Sequence, residues 1–232
     1  MKILIVTDAW YPQVNGVVRT LDETSKQLKK FGHEVKLITP EGFLTIPCPT
    51  YPEIKLSLFP GARVSSMIRE FNPDRLHIAT EGPLGLSARG YANRNGLAFT
   101  SAYHTRFPEY VHARTKLPLK ITYSFLRWFH NSSDLVMVPT EEVKKDLIKH
   151  KISNPKIWSR GVDLEIFKPK RGRKKNQKPI MLNVGRVSVE KNLEEFLKID
   201  LPYEKWVVGD GPALKELKKK YPKVIFHGAK SK

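Results

Sequence analysis

The sequence predicts an α/β protein built on doubly wound parallel sheets. Short apolar runs of the kind expected of parallel strands buried on both faces alternate with amphipathic stretches at helical spacing. The first run, Ile3 to Val6, is followed by a loop, a helix pattern and a second strand, which is the repeating unit of that class. The alternation continues to Pro169, lapses in a polar basic stretch, and restarts at Ile180.

Taken in order, the Ile3–Val6 strand leads into the loop Asp8–Gly16, which carries Pro12, Asn15 and Gly16. Val17, Val18, Leu21, Thr24, Leu28 and Phe31 then recur on one helical face, and Gly32 ends that helix. Val35–Ile38 is the next strand. Further strands are expected at Lys55–Leu58, Arg75–Ile78, Ala98–Ala102 and Leu135–Val138, with helices at Ala62–Phe71, Leu84–Asn95, Leu119–His130 and Glu141–His150. After the restart come a strand at Ile180–Val184, a short helix at Leu193–Lys198, a strand at Trp206–Val208, a helix at Pro212–Lys220 and a strand at Val224–Phe226. The organisation expected is a complete domain over 1–168, a basic linker at 169–178 and an incomplete second domain over 179–232. Three strands fall short of the five or six usual for such a sheet. An open edge and a bare apolar face invite self-association, or pairing with a complementing C-terminal half.

Composition narrows the function classes. Of 232 residues, 41 are Lys or Arg and 23 Asp or Glu, a net charge of +18, while 40% are hydrophobic. The hydrophobic content excludes disorder along the whole chain. The single cysteine, Cys48, excludes an intramolecular disulfide and a Cys-rich zinc site. No apolar run approaches the roughly 18 residues of a membrane span, and MKILIVTDAW does not read as a secretory signal. A soluble cytoplasmic protein is expected. The charge favours an anionic partner: nucleic acid, an anionic membrane surface or phosphorylated small molecules. Its densest part, Lys168–Lys178 (KPKRGRKKNQK), reads as a solvated linker or as a patch for acidic lipid or another polyanion. The aromatics of Leu119–His130 read as core or as apolar contacts for a membrane. Nucleic acid is the less favoured partner, because no recognition module accompanies the basic run.

Three segments carry chemistry. Gly16 sits at a strand-to-helix junction, where backbone N–H groups approach an anion closely, although the G-x-G-x-x-G spacing of a dinucleotide site is absent. His104, in SAYHTRFPEY, follows the Ala98–Ala102 strand at the carboxyl edge where open α/β sheets bind ligands; it can hydrogen-bond a substrate hydroxyl or act as a base. Arg186 and Lys191, in GRVSVEKN, place two cations on a loop opening the next helix, an arrangement suited to a diphosphate or simply to a charged surface. GDGP, Gly209 to Pro212, reads as a flexible tight turn.

The ordered set N-G-V-V-R-T, Y-H-T-R-F-P-E-Y, R-G-V-D, G-R-V-S-V-E-K-N, G-D-G-P and F-H-G resembles the retaining GT-B glycosyltransferases of family 4. It is most similar to GDP-mannose-dependent α-mannosyltransferases and related lipid-acceptor enzymes. That resemblance implies a GT-B-like α/β fold of two Rossmann-like domains, the first on the acceptor side and the second binding the nucleotide sugar. It implies that Arg186 and Lys191 hold the donor diphosphate and stabilise the leaving nucleotide. Gly16 would approach the same phosphates, and His104 would contact the transferred sugar. Asn15 and Glu81, the latter in TEGPLG, would line the acceptor side. The implied donor is GDP-mannose or a UDP-sugar, and the acceptor a lipid or glycan at the inner face of the membrane. No metal or cofactor is implied, the nucleotide diphosphosugar being a substrate, and transfer is by front-face attack with retention. The family's later pair of glutamates, eight residues apart, is expected beyond F-H-G and does not occur before Lys232. The chain therefore reads as a C-terminally truncated member, with activity impaired or reduced to that of a non-catalytic remnant.

Overall fold

The computed structural model describes residues 1–13, 15–48, 51–104, 107–169 and 179–230; the linker expected at 169–178 lies outside these except for Pro169. The chain divides into two compact units, Met1–Asp163 and Leu164–Lys232.

The first unit holds a six-stranded parallel sheet. Its strands are β1 (Lys2–Val6), β2 (Glu34–Ile38), β5 (Arg75–Ile78), β6 (Phe99–Ala102), β7 (Leu135–Val138) and β8 (Pro155–Ile157), in the order β2-β1-β5-β6-β7-β8. The apolar run of β1 explains its central place. Leu4 and Val6 join a core with Ile78, Ile68 and Leu84, whereas Ile5 packs with Leu21 and Val35. Alternate side chains thus fill opposite faces, and both faces are covered. Helix α1 (Gly16–Lys30) contributes Leu21 to one face; α2 (Gly61–Phe71) and α3 (Pro83–Asn95) contribute Val64, Ile68, Leu84 and Ala88 to the other.

Two elements had no readable period. Helix α4 (Phe107–Thr115) does not gather its apolar residues on one face, and β8 is a three-residue edge strand led by proline, a position where the missing N–H is tolerated. The strand expected at Lys55–Leu58 forms, but begins earlier, ends at Ser57 and lies outside the main sheet. It belongs to β4 (Tyr51–Ser57), which pairs antiparallel with β3 (Thr45–Cys48) in a separate hairpin between β2 and α2. A short run of this kind specifies a strand but not the sheet it joins.

Helix α5 (Leu119–His130) buries Tyr123 and Leu126 against Val136, Val138 and Leu147 of β7 and α6 (Glu141–Lys149), while Phe129 joins the core of Leu84, Ala88 and Phe99. Most of its aromatic content is therefore core, while Ile121 and Trp128 stay exposed. Arg89 of α3 lies over the Trp128 ring, 3.7 Å from its centroid, and donates to the Phe129 carbonyl.

The second unit carries a three-stranded parallel sheet in the order β11-β10-β9, from β9 (Ile180–Val184), β10 (Glu204–Val208) and β11 (Ile225–Gly228). Leu193 and Leu197 of α7 (Leu193–Lys198) and Leu217 of α8 (Leu214–Lys220) pack with Val187 and Val207 on one face. Ile180, Leu182 and Val184, alternate residues of β9, are exposed. Helix α8 begins two residues later than expected, because Pro212 and Ala213 form the turn that leads into it. Among the described residues no helix is long and apolar enough to cross a membrane, and no group of three or more His, Cys, Asp or Glu is placed to hold a metal ion.

Candidate functional site

Chain order reverses in the first sheet between β1 and β5, so a crevice opens beyond their carboxyl ends, the usual ligand position in sheets of this kind. Asp8, two residues beyond β1, is built into its floor. Its carboxylate accepts hydrogen bonds from Leu84 N at 2.9 Å, Gly85 N at 3.3 Å and the Thr80 hydroxyl at 2.8 Å. Burial raises the carboxyl above the usual range, while the Leu84 amide and Thr80 pull the other way. Asp8 thus fastens β1 to the start of α3, where a negative group is also favoured by the helix dipole.

Asn15 is the N-cap of α1. Its Oδ1 accepts from Val17 N and Val18 N, both at 3.0 Å, and its Nδ2 donates to Gln13. The side-chain oxygen is therefore committed to the helix. Gly16 follows as the first helical residue.

His104 lies just beyond β6, and Arg160 beyond β8 reaches it. Arg160 Nη2 donates to the His104 carbonyl and stands next to His104 Nδ1, at 3.3 Å in each case. Arg160 Nη1 lies against Gly16, 3.0 Å from where a Cβ would be, so a glycine at 16 leaves room for it. Trp158 tilts against the His104 ring and meets His77 of β5 edge-on. Burial, then the Arg160 charge, then His77 push the His104 imidazole down to about 3. Burial alone pushes His77 down to about 4, and its Nδ1 pairs with Thr100 Oγ1 at 2.8 Å. Both rings are neutral at physiological pH.

Glu81 stands beyond β5 and accepts from a buried histidine, His130 Nε2, at 3.2 Å. His130 Nδ1 is 2.8 Å from Ser101 Oγ, which is 2.9 Å from Ser133 Oγ. The composition matches a Ser-His-acid triad, but Ser101 and His130 are completely buried. No substrate carbonyl reaches Ser101, so this chain of bonds orients Glu81 rather than making a nucleophile.

In the second unit, Arg186 and Lys191 both follow β9 on one loop; the two cations are exposed, Val187 and Ser188 between them are buried, and the loop tightens into a 3₁₀ turn at Val189–Lys191 before α7. GDGP proves to be a fixed support for that loop. Val187 N donates to Asp210 O at 2.9 Å, and Ala213 N donates back to Val187 O at 3.1 Å. A Cβ on Gly209 would fall 1.8 Å from the Gly185 carbonyl oxygen, and one on Gly211 would fall 2.3 Å from that of Val187. Gly209 N also donates to Gly228 O of F-H-G at 2.8 Å. Three motifs far apart in sequence thus share one edge of the sheet.

Of the residues singled out by sequence, the structure links His104 to Gly16 through Arg160, and it sets Asn15 and Glu81 at the same carboxyl edge. Arg186 and Lys191 share a loop in the other unit. Sequence reasoning passed over Asp8, His130, Trp158 and, above all, Arg160, which stood among other cations in a basic run. The available signal was R-G-V-D, Arg160 to Asp163, immediately beyond a short strand.

The profile of Glycosyltransferase Family 4 matches residues 14–166. The chain is 31% identical to the sulfoquinovosyl transferase SQD2 of Arabidopsis thaliana, over 93% of this chain and 48% of that protein. It is 26% identical to a GDP-mannose-dependent alpha-mannosyltransferase of Mycobacterium tuberculosis, over 99% of this chain and 68% of that protein. The chain therefore spans between about half and two thirds of these relatives. The sucrose-phosphate synthase structure from Thermosynechococcus elongatus superposes with a TM-score of 0.69 at 16% identity, covering 99% of this chain and 71% of that one, which is a likeness of fold.

Proposed function

The chain belongs to glycosyltransferase family 4, and from that premise we propose that it serves the transfer of a sugar from a nucleotide diphosphosugar to a lipid or glycan acceptor, with retention. The observation that carries this reading is the positioning of its motif residues. Gly16, Glu81 and His104 gather at the carboxyl edge of the first sheet, and Arg186 and Lys191 lie on a glycine-braced loop at the carboxyl edge of the second.

In this reading Arg186 and Lys191 hold the donor diphosphate. Fixed cations there stabilise the charge that grows on the leaving nucleotide, the largest single contribution such a site makes. Gly16, at the start of α1, leaves room for an anion to approach the backbone closely. His104 meets a hydroxyl of the transferred sugar, and Asn15 and Glu81 line the acceptor side. His104 and His77 are both held neutral, and Ser101 is sealed from substrate, so no protein nucleophile is assigned. The donor phosphate takes the acceptor's proton in front-face transfer. Mannose from GDP-mannose is the first donor to try, because the relative from Mycobacterium tuberculosis carries that name; UDP-sugars are the second. The net charge of +18 supports an acceptor presented at an anionic membrane surface.

Thermal unfolding with and without GDP, UDP and their sugars tests the reading. A ligand at about 100 times its Kd adds roughly 2.7 kcal/mol of stability. One nucleotide should raise the melting temperature, and Arg186→Ala and Lys191→Ala should abolish the rise. A rise that survives both substitutions would remove these residues from the donor site.

A further inference from the structure

We propose that Arg160 is a positioning residue that fixes His104 as a neutral imidazole with its proton on Nε2, so that His104 acts as a hydrogen-bond donor to a ligand hydroxyl and not as a base. The proposal rests on the sugar-transfer reading only for the identity of that hydroxyl. Its geometric part stands without it.

A guanidinium has donors only and keeps its charge throughout the working pH range. Arg160 Nη2 carries two hydrogens. One meets the His104 carbonyl oxygen and the other faces His104 Nδ1, each at 3.3 Å. Nδ1 facing a permanent donor must present its lone pair, so a neutral ring carries its proton on Nε2. Adding a second proton would set an N–H against the guanidinium and a positive ring beside a positive side chain. Among the described residues, the groups beside His104 disfavour that second proton. Arg160 comes from beyond β8, His77 from β5, and Trp158 covers the ring. A base needs a free lone pair. One nitrogen is occupied by Arg160 and the other holds the proton, so only donation remains.

The donor is also unspent. His104 Nε2 is shielded from solvent and has no hydrogen-bond partner among the described residues. A buried N–H left unpaired is costly, so this one is available to a partner beyond the described residues. The anchoring of Arg160 has a second point: its Nη1 lies against Gly16, where a side chain at position 16 would crowd it. One arginine therefore ties the start of α1 to the ring beyond β6.

The test is nitrogen NMR of the whole 232-residue chain labelled on its histidines, with His104 assigned by the signal that His104→Gln removes. In the wild type, Nδ1 should show the shift of an unprotonated acceptor and Nε2 that of an N–H, with no titration down to pH 5. Arg160→Ala should raise the apparent pKa of His104 by about one unit or more. Arg160→Lys should restore the low value, because the charge returns. Arg160→Gln should raise the pKa while keeping the proton on Nε2, because the amide still donates. A wild-type His104 protonated on Nδ1, or a titration unchanged in Arg160→Ala when the remaining histidine signals show an intact fold, would overturn the proposal. A correct tautomer in a chain whose stability responds to no nucleotide sugar would instead remove the sugar-transfer reading and leave the positioning role in place.

Discussion

Gly209→Ala should disable the cationic loop of the second unit without touching either cation. Gly209 has φ 143°, a backbone conformation that side chains disfavour, and its Cβ would lie 1.8 Å from the Gly185 carbonyl oxygen. Real Cβ contacts do not fall below 3.0 Å, so the two strand ends must separate by at least 1.2 Å, the difference between those distances. The obstacle is backbone and cannot swing aside as a side-chain tip can. The bonds at risk join Gly185 N to Val208 O at 2.9 Å and Gly209 N to Gly228 O at 2.8 Å. Strain of about 1–3 kcal/mol together with one or two weakened bonds gives a loss of roughly 2–5 kcal/mol. Hydrogen exchange at the amides of β9, β10 and β11 reads this loss in the second unit by itself. A displacement near 1 Å costs on the order of 100-fold where groups must meet a reacting centre, so nucleotide-dependent stabilisation should vanish as well. Asp210→Ala is the control, because the Asp210 backbone carbonyl that holds Val187 is untouched; it should stay within about 0.5 kcal/mol of wild type. If Gly209→Ala exchanges like wild type and still responds to nucleotide, the bracing role is wrong.

Three further outcomes are expected. Stability of the first unit should fall as the pH drops below 6.5 and level off near pH 3: the unfolded chain protonates His77 and His104 in that window while the fold, with values of about 4 and about 3, does not. Denaturation midpoints across pH 3–8 check this, and His77→Gln should flatten the slope. Asp8→Asn should cost roughly 1–3 kcal/mol, because an amide presents hydrogens toward at least one of the Leu84, Gly85 and Thr80 donors; chemical denaturation measures it, and a neutral result would deny Asp8 its place at the start of α3. Asn15→Ala should cost about 1 kcal/mol and Asn15→Asp almost nothing, since the aspartate keeps a capping oxygen for Val17 N and Val18 N; equal melting temperatures for all three chains would contradict the cap.

Local pattern was enough for much of this protein. The apolar run Ile3–Val6, the helical period from Val17 to Phe31 and the glycines at 16 and 32 specify a buried parallel strand followed by a capped helix, because burial on two faces and helical spacing each leave a direct mark on the sequence. The ordered motifs located His104, Arg186 and Lys191 on loops beyond strands for the same reason: a ligand-binding edge is also a place where the chain changes from one period to another. Pairing is not written in that way. Lys55–Leu58 reads as a strand, yet only its neighbours decide that it joins a hairpin and not the main sheet. Asp8 and His130 look like any surface acid and helical histidine until the fold buries them among amides and hydroxyls. GDGP reads as a flexible turn until strand alignment presses Gly209 onto Gly185. Arg160 is the clearest case. In sequence it is one cation among many, 56 residues from His104, and only the order of the parallel strands brings its guanidinium to that ring and to Gly16. Elements and the chemical kinds available are legible along the chain, because period and residue type are local. Which groups meet is not, because contacts across a sheet depend on strand order and burial, which no short stretch of chain contains.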